Sequence, residues 1–372
     1  MKCNWKECTL GDLITFQRGH DLPKSQMTDG KYPVVGSNGI IGYHNEYTTE
    51  APSITIGRSG NVGNPFIVYG QTWSHNTTLY VKDFKGNDPV FVYYFLKTMD
   101  LANYAGGSAV PTLNRNHIHT LPIKVPESVG VQKKIGYYLR LLDEKIELNN
   151  AINNNLLEQA LTLYSTQFAT FDRNGCIGDY CSIKSGFAFK SSWWTHNGIK
   201  VIKIGSINQD NLNLLECSYV DKDKIDKAKD FKVGAGDLLI AMTGATIGKF
   251  AMVPYSSEIL LVNQRVGKFF LGDNPVKKLP FIYCTLKQPE VYCEIVNRGQ
   301  GSAQPNISAS DIMCIPCVIP SKETIIEFND IVQPLFDLII SNQQENQQLS
   351  ELRDSLLPKL MSDEIDVSCI DI

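Results

Sequence analysis

The sequence predicts an α+β chain: two globular modules separated by two long helices that pack as an antiparallel coiled coil. Three observations carry this expectation. From Val131 to about Phe168 there is no proline, no glycine after Gly136, and a steady three-then-four spacing of apolar residues. The same landmarks occur twice along the chain, in the same order. Between the helical stretches lie short apolar runs punctuated by Gly, Pro and Asn, the pattern of short strands and turns.

Residues 1–130 form the first module. Strands are expected at Tyr32–Val35, Ser53–Gly57, Phe66–Tyr69 and Thr78–Lys82, a helix at Phe91–Tyr104 and an extended run at Leu121–Pro126. Residues 131–170 form the first rod. Ile135, Leu139, Leu142, Ile146, Leu156, Ala160 and Leu163 fall on one stripe, narrow enough for a coiled-coil seam, and Asn149 and Asn153 lie within it. Residues 171–322 form the second module. Its strands are expected at Lys200–Gly205, Asp237–Thr243, Lys249–Val253 and Val266–Leu271, its helix at Phe281–Asn297 and its extended run at Ile315–Pro320. Residues 323–362 form the second rod, with Val332, Leu335, Ile339, Leu349 and Leu356 facing the first.

The repeat ties these parts together. Leu10-Gly-Asp-Leu…Gly19 returns as Ile177-Gly-Asp-Tyr…Gly186, an offset of 167. Ile56-Gly-Arg-Ser-Gly-Asn-Val-Gly63 returns loosely as Ala241-Met-Thr-Gly-Ala-Thr-Ile-Gly248, offset 185. Phe91-Val-Tyr-Tyr-Phe-Leu-Lys97 and Gly107-Ser-Ala-Val-Pro-Thr return at offsets 190 and 194. The growth of the offset marks an insertion within about 187–239, including the alternating charge run from Asp221 to Asp230. Ile146, Asn149, Asn153 and Leu156 match Ile339, Asn342, Asn346 and Leu349 at offset 193. An Asn in an apolar seam lowers stability and fixes register. Matched Asn layers imply that the rods pair with each other, antiparallel because a module must return between them. Asn149, Asn153, Asn342 and Asn346 are therefore the candidates for register and partner docking. Changing Asn149→Leu together with Asn342→Leu is expected to stabilise the rods and loosen their register.

Composition is that of a globular protein, with ten cysteines lacking regular spacing. No apolar run approaches a membrane span, and MKCNWKECTL does not read as a signal peptide. The expectation is a cytoplasmic protein with reduced thiols and no membrane partner. The net charge of −4 conceals a division. Residues 1–130 hold 11 basic and 10 acidic side chains, and residues 173–322 hold 18 and 13. Residues 131–172 hold 4 and 5, and residues 323–372 hold 2 and 11. Weakly basic modules thus alternate with acidic helical parts. That permits nucleic-acid binding by the modules and protein contacts by the helices.

Enzyme chemistry finds no foothold. Asp88-Pro-Val-Phe91 falls one residue from a methyltransferase [DN]PP[YF] loop, but its repeat mate Lys278-Leu-Pro-Phe281 has no acid, so it reads as a helix cap with Pro in the first turn. Gly234-Ala-Gly236-Asp precedes a strand, and Gly244–Lys249 is one residue short of a P-loop without its Ser/Thr. Cys314-Ile-Pro-Cys317 lacks a second ligand pair and reads as two core thiols. Five of six histidines lie in the first module, none with a histidine mate in the second. Neither a catalytic residue nor a metal site is expected.

The polar loops are different. Framework glycines and prolines match across the repeat while the polar residues beside them differ, as expected if two copies of one scaffold read two targets. Asn, Gln and Arg side chains can read purine edges, and Ser and Thr can hold phosphates. The candidates are Arg58, Ser59, Asn61, Trp73, His75, Asn76, Asn114 and Arg115 in the first module. In the second they are Lys203, Thr243, Thr246, Asn263, Gln264, Arg265, Gln304 and Asn306.

The whole chain resembles a specificity subunit of a type I restriction-modification system. The likeness rests on Tyr32-Pro-Val-Val-Gly-Ser-Asn-Gly-Ile-Ile-Gly42, Gly107–Ile118, Gly301-Ser-Ala-Gln-Pro-Asn-Ile307 and Asn346–Leu360, in their order and twofold repetition. The resemblance implies that the modules are target-recognition domains, each reading one half of a bipartite, asymmetric site in double-stranded DNA. It implies that the rods set the spacing and dock two modification (methyltransferase) subunits, which restriction subunits join. No cofactor is expected on this chain; S-adenosylmethionine, ATP and Mg belong to the partner subunits. The low basicity implies weak DNA binding by the lone subunit, with phosphate contacts supplied largely by partners. A tandem adaptor or ligand-binding protein without DNA recognition is the alternative, and a degenerate methyltransferase comes third.

Overall fold

The computed structural model describes residues 4–107, 111–300, 305–368 and 370. By packing, the chain divides into two units, Met1–Glu144 with Ser350–Ile372, and Lys145–Leu349. Two 40-residue helices, Val129–Phe168 and Lys322–Met361, each contribute to both. Among the described residues no helix is long and apolar enough to cross a membrane.

In the first unit an antiparallel sheet runs in the order Thr15–Arg18, Thr78–Asp83, Ser53–Gly57, Pro65–Val68. A second sheet runs Gly39–His44, Tyr32–Gly36, Trp73–Ser74, with the last pair parallel. The ribbon Trp5–Thr9 with Pro122–Pro126 ties the module's entrance to its exit. Asp88 caps the helix Pro89–Lys97, its carboxylate accepting from Phe91 N at 2.8 Å. The first long helix closes on this cap. Gln132 is fully buried: its Oε1 accepts from Asp88 N (3.0 Å), and its Nε2 donates to Asn87 Oδ1 (2.9 Å) and the Pro126 carbonyl (3.1 Å). One turn on, a Cβ at Gly136 would lie 2.9 Å from Phe91 N, so only glycine permits this approach. Ile135 and Leu139 then join Phe91, Leu360 and Met361 in one core.

The second unit repeats the plan. Its four-stranded antiparallel sheet runs Ser182–Ser185, Val266–Phe270, Leu238–Ala241, Phe250–Met252, the same order as in the first. Ile199–Ile202 lies parallel to Leu260–Val262, as Tyr32–Gly36 does to Trp73–Ser74. The inserted segment adds strands to this second sheet and two 3-10 segments, Lys222–Phe231 with a kink at Ala228, over the charge run. Of the extended run at Ile315–Pro320, only Pro316–Cys317 pairs as strand.

Neither module helix is continuous over the span its apolar spacing suggests. Phe91–Tyr104 is an α-helix only to Lys97; Asp100 takes a φ of 44°, and a 3-10 turn follows. Phe281–Asn297 is two helices, Leu279–Lys287 and Pro289–Gly299. Gln288 between them is extended (ψ 130°), because a residue before proline is pushed out of the α region.

Within each unit the long helices run antiparallel. In the first, Asp143 meets Arg353 at 2.6 Å. In the second, Asn149 Nδ2 donates to Asn346 Oδ1 (2.9 Å) and Asn342 Nδ2 donates to Asn153 Oδ1 (2.8 Å). Each sequence-matched Asn thus bonds the other kind of layer in its partner helix, not its own repeat mate. Ile135, Leu139, Ala160, Val332 and Ile339 are buried in or beside this seam. Leu163 is the exception: it is 42% exposed, and Tyr164 is buried in its place. The helix here has joined the module core, where Tyr164 and Phe168 pack on Phe281 and Phe328. The seam spacing gives way to the spacing of a globular helix.

Candidate nucleic-acid interface

In each module three backbone segments are hydrogen-bonded into one corner. In the first, Arg58 N donates to the Thr77 carbonyl (2.8 Å) and Leu113 N donates to the Arg58 carbonyl (2.9 Å), while Ser59 bridges Thr112. In the second, Met242 N donates to the Arg265 carbonyl (3.0 Å) and Ile307 N to the Met242 carbonyl (3.0 Å), while Thr243 bridges Asn306. The equivalences are therefore Arg58 with Met242, Ser59 with Thr243, Thr77 with Arg265, and Thr112 with Asn306.

This corrects the alignment of the loops. Gly63 N closes on the Gly57 carbonyl, but Gly248 N closes on the Ala241 carbonyl, so the second loop is one residue longer. Glycines reverse the chain at matched places: Gly60 and Gly244 have φ of 85° and 74°, and Gly63 and Gly248 both 82°. Those angles strain any other residue. Frame and turns are shared, and the side chains differ. The cationic group comes from the loop in the first module (Arg58) and from the facing turn in the second (Arg265).

The second corner gathers four of its module's eight candidates. Thr243, Gln264, Arg265 and Asn306 line one groove of about 570 Å³ with Ser185 and Met242. Gln264, Arg265 and Asn306 are exposed. Asn263 braces the turn instead, its Oδ1 accepting from Arg265 N (3.3 Å). The hydroxyls of Thr243 and Thr246 are buried without a partner among the described residues. Lys203 lies over Trp194 at 3.6 Å, and burial pulls its pKa down. Gln304 lies outside the described residues.

In the first corner Arg58 and Ser59 are half-buried, and Asn61 and Arg115 are exposed. Asn61 Oδ1 accepts from Asn64, and Asn76 donates to Asp21. His75 Nδ1 meets Thr77 Oγ1 at 3.1 Å. Asn114 caps the short helix Arg115–His119, accepting from Asn116 N. Trp73 is not a free aromatic on a mobile loop. It sits in a strand between buried Thr72 and Ser74, its ring edge-on to His44 at 5.0 Å. The hydroxyls beside it are internally bonded, Thr49 to Ser74 and Ser53 to Thr72, both at 2.7 Å. Two corner residues escaped sequence reasoning, Thr77 and Ser37, whose N–H donates to Thr77 Oγ1 (3.2 Å). The repeat mate of Arg265 was the available signal for Thr77.

The CxxC pair divides: Cys317 is buried, as expected of a core thiol, but Cys314 is exposed just after the helix Ala309–Met313. Burial pushes the Cys317 and Cys181 thiols up to about 12. A maleimide at mildly alkaline pH should therefore label Cys293 and Cys314 in the folded chain and spare Cys181 and Cys317, as peptide mass mapping would show.

The family model for the type I restriction modification DNA specificity domain matches residues 2–158 and 173–351. The chain is 20% identical to the type I restriction enzyme MjaVIII specificity subunit of Methanocaldococcus jannaschii, over 98% of this chain and 93% of that protein. It is 27% identical to the MjaIX specificity subunit of the same organism, over 74% and 69%. A crystal structure of the type I restriction-modification S subunit from M. genitalium superposes with a TM-score of 0.57 at 19% identity, over 96% of each chain. That last likeness bears on the fold alone.

Proposed function

Because the chain belongs to the type I restriction-modification DNA specificity family, we infer that it is the sequence-specificity subunit of such a system, each module reading one half of a bipartite, asymmetric DNA site. The observation that carries this reading is the pair of corners: one hydrogen-bonded frame, built twice, bearing different polar side chains. A frame that holds backbone fixed while side chains vary suits base readout, where bidentate Arg, Asn or Gln contacts discriminate by about 1–3 kcal/mol each. The subunit recognises and scaffolds; two modification subunits supply S-adenosylmethionine and methyl transfer, and restriction subunits supply the ATP- and Mg-dependent steps. The acidic distal segment, 2 basic against 11 acidic residues, suits a protein-facing surface. The four seam asparagines set the helix register and hence the spacing between the half-sites.

Methylation mapping of the host genome tests the reading. One bipartite motif with unlike halves is expected, lost when this gene is deleted. Replacing residues 1–130 by another such module should change one half only. Arg265→Ala should relax a single position of the other half and slow its modification about tenfold. An unchanged methylome after deletion would sink the assignment.

A further inference from the structure

The segment present only in the second module brings several lysines to one indole. Ser191–Trp193 form a 3-10 turn, and Lys222–Phe231 a pair of 3-10 segments kinked at Ala228. Trp193 stacks on Phe187, ring centres 6.0 Å apart and planes within 14°, and Phe231 packs on Phe187 at 5.4 Å. The ammonium groups of Lys190, Lys224 and Lys227 stand 5.9, 5.7 and 5.2 Å from the centre of the Trp193 ring.

Such an arrangement is not explained by its internal contacts. A cation over an exposed ring gains only about 0.5–1 kcal/mol, and ammonium groups gathered around one ring repel each other. Asp223 pairs with Lys224. Lys190 and Lys227 have no carboxylate within ion-pair distance among the described residues, and Asp221, Asp226 and Asp230 of the same segment stay outside that distance from them. The cluster also borders the candidate base-reading turn. Phe187, its floor, bridges Asn263, and Gln264 N donates to the Phe187 carbonyl at 2.9 Å. The first module has His20 at this place, beside Trp73 and Tyr80, with no lysine over Trp73 among the described residues.

We propose that Lys190, Lys224 and Lys227, arrayed on Trp193, form a phosphate-binding cluster that grips the DNA backbone beside the half-site read by the second module. The inference rests on the DNA-reading function proposed above and assigns to one module a contact that the other lacks. Phosphodiesters fit better than bases: the groups presented are ammonium donors without acceptors, and an anion relieves their mutual repulsion.

Salt dependence separates this role from base reading. The purified complex containing the full chain is titrated with a duplex carrying the mapped motif and with a random duplex of equal length. Each phosphate contact contributes about 0.9 to the slope of log affinity against log salt. Lys190→Gln, Lys224→Gln and Lys227→Gln together should make that slope shallower by roughly 2–3 on both duplexes. Across a fourfold rise in salt that is about 15- to 60-fold less affinity lost. The methylated motif should stay the same. Asp223→Asn, which frees Lys224, should tighten binding several-fold at low salt, a direction that misfolding cannot produce. Unaltered slopes in both variants would overturn the proposal, as would an altered second half-site with an unaltered slope. A wild-type complex that does not prefer the motif duplex would instead bring down the DNA reading itself, and this inference with it.

Discussion

Arg353→Ala should destabilise the first unit by about 3 kcal/mol, the lower end of the cost of removing one partner from a buried ion pair. Arg353 and Asp143 are both largely buried, and their contact is 2.6 Å. Asp143 also accepts from the Tyr94 hydroxyl at 2.5 Å, and the nearby Lys97 holds some of its charge in balance. Those partners keep the loss from being larger. Hydrogen exchange checks the result: protection should fall in 129–144 and 350–361 and hold in 145–168 and 322–349. Replacing Arg353→Met, Asp143→Leu and Tyr94→Phe together should recover part of the stability, because the guanidinium, carboxylate and hydroxyl that bond one another are then removed together. Uniform loss of protection along both helices would contradict the assignment of this pair to one unit.

Asn149→Leu with Asn342→Leu should lower stability by about 2–3 kcal/mol, the opposite of what the apolar seam suggests. The structure supplies the reason. Asn149 donates to Asn346 and also to Glu345 (2.7 Å), while Asn342 donates to Asn153. The double change therefore removes one member of each pair and leaves Asn153 without its bond, at about 1–2 kcal/mol per layer. Changing all four asparagines to leucine removes both members and should raise the unfolding midpoint while leaving the register unspecified. Chemical denaturation orders the three proteins. The spacer in the methylated motif, strict in the parent and relaxed in the fourfold variant, reads out the register. A fourfold variant that keeps one strict spacer would show that the asparagines do not set it.

The repeat made the architecture legible, because the residues that recur are the ones a frame requires. Glycines at left-handed positions, a capped helix start and paired Asn layers leave marks that survive divergence of everything between them. What stayed hidden depends on neighbours remote in sequence. Trp73 has the composition of a reading loop, yet His44 and a strand partner claim it. Cys314 and Cys317 share one short segment and differ in exposure because only one side of it faces the core. Leu163 and Tyr164 are adjacent, and the choice between them depends on whether the helix is packing on another helix or on a module. The one-residue difference between the loops was invisible because both end on matched glycines; only the hydrogen bond to Ala241 reveals it. At the corners, the sequence identified the segments but not which side chains remain free to reach a ligand.

The first unit is discontinuous: its core includes Leu360, Met361 and Val367, encoded after the whole of the second unit. A ribosome therefore releases the first module long before the residues that close its core exist. Ile135 and Leu139 wait without Leu360 and Met361 while about two hundred further residues are translated, and the second unit, encoded without interruption, can complete first. A stop codon near Leu349 would accordingly not yield a half-specific protein. It would yield a chain whose earliest-made part stays open, a substrate for chaperones and proteases.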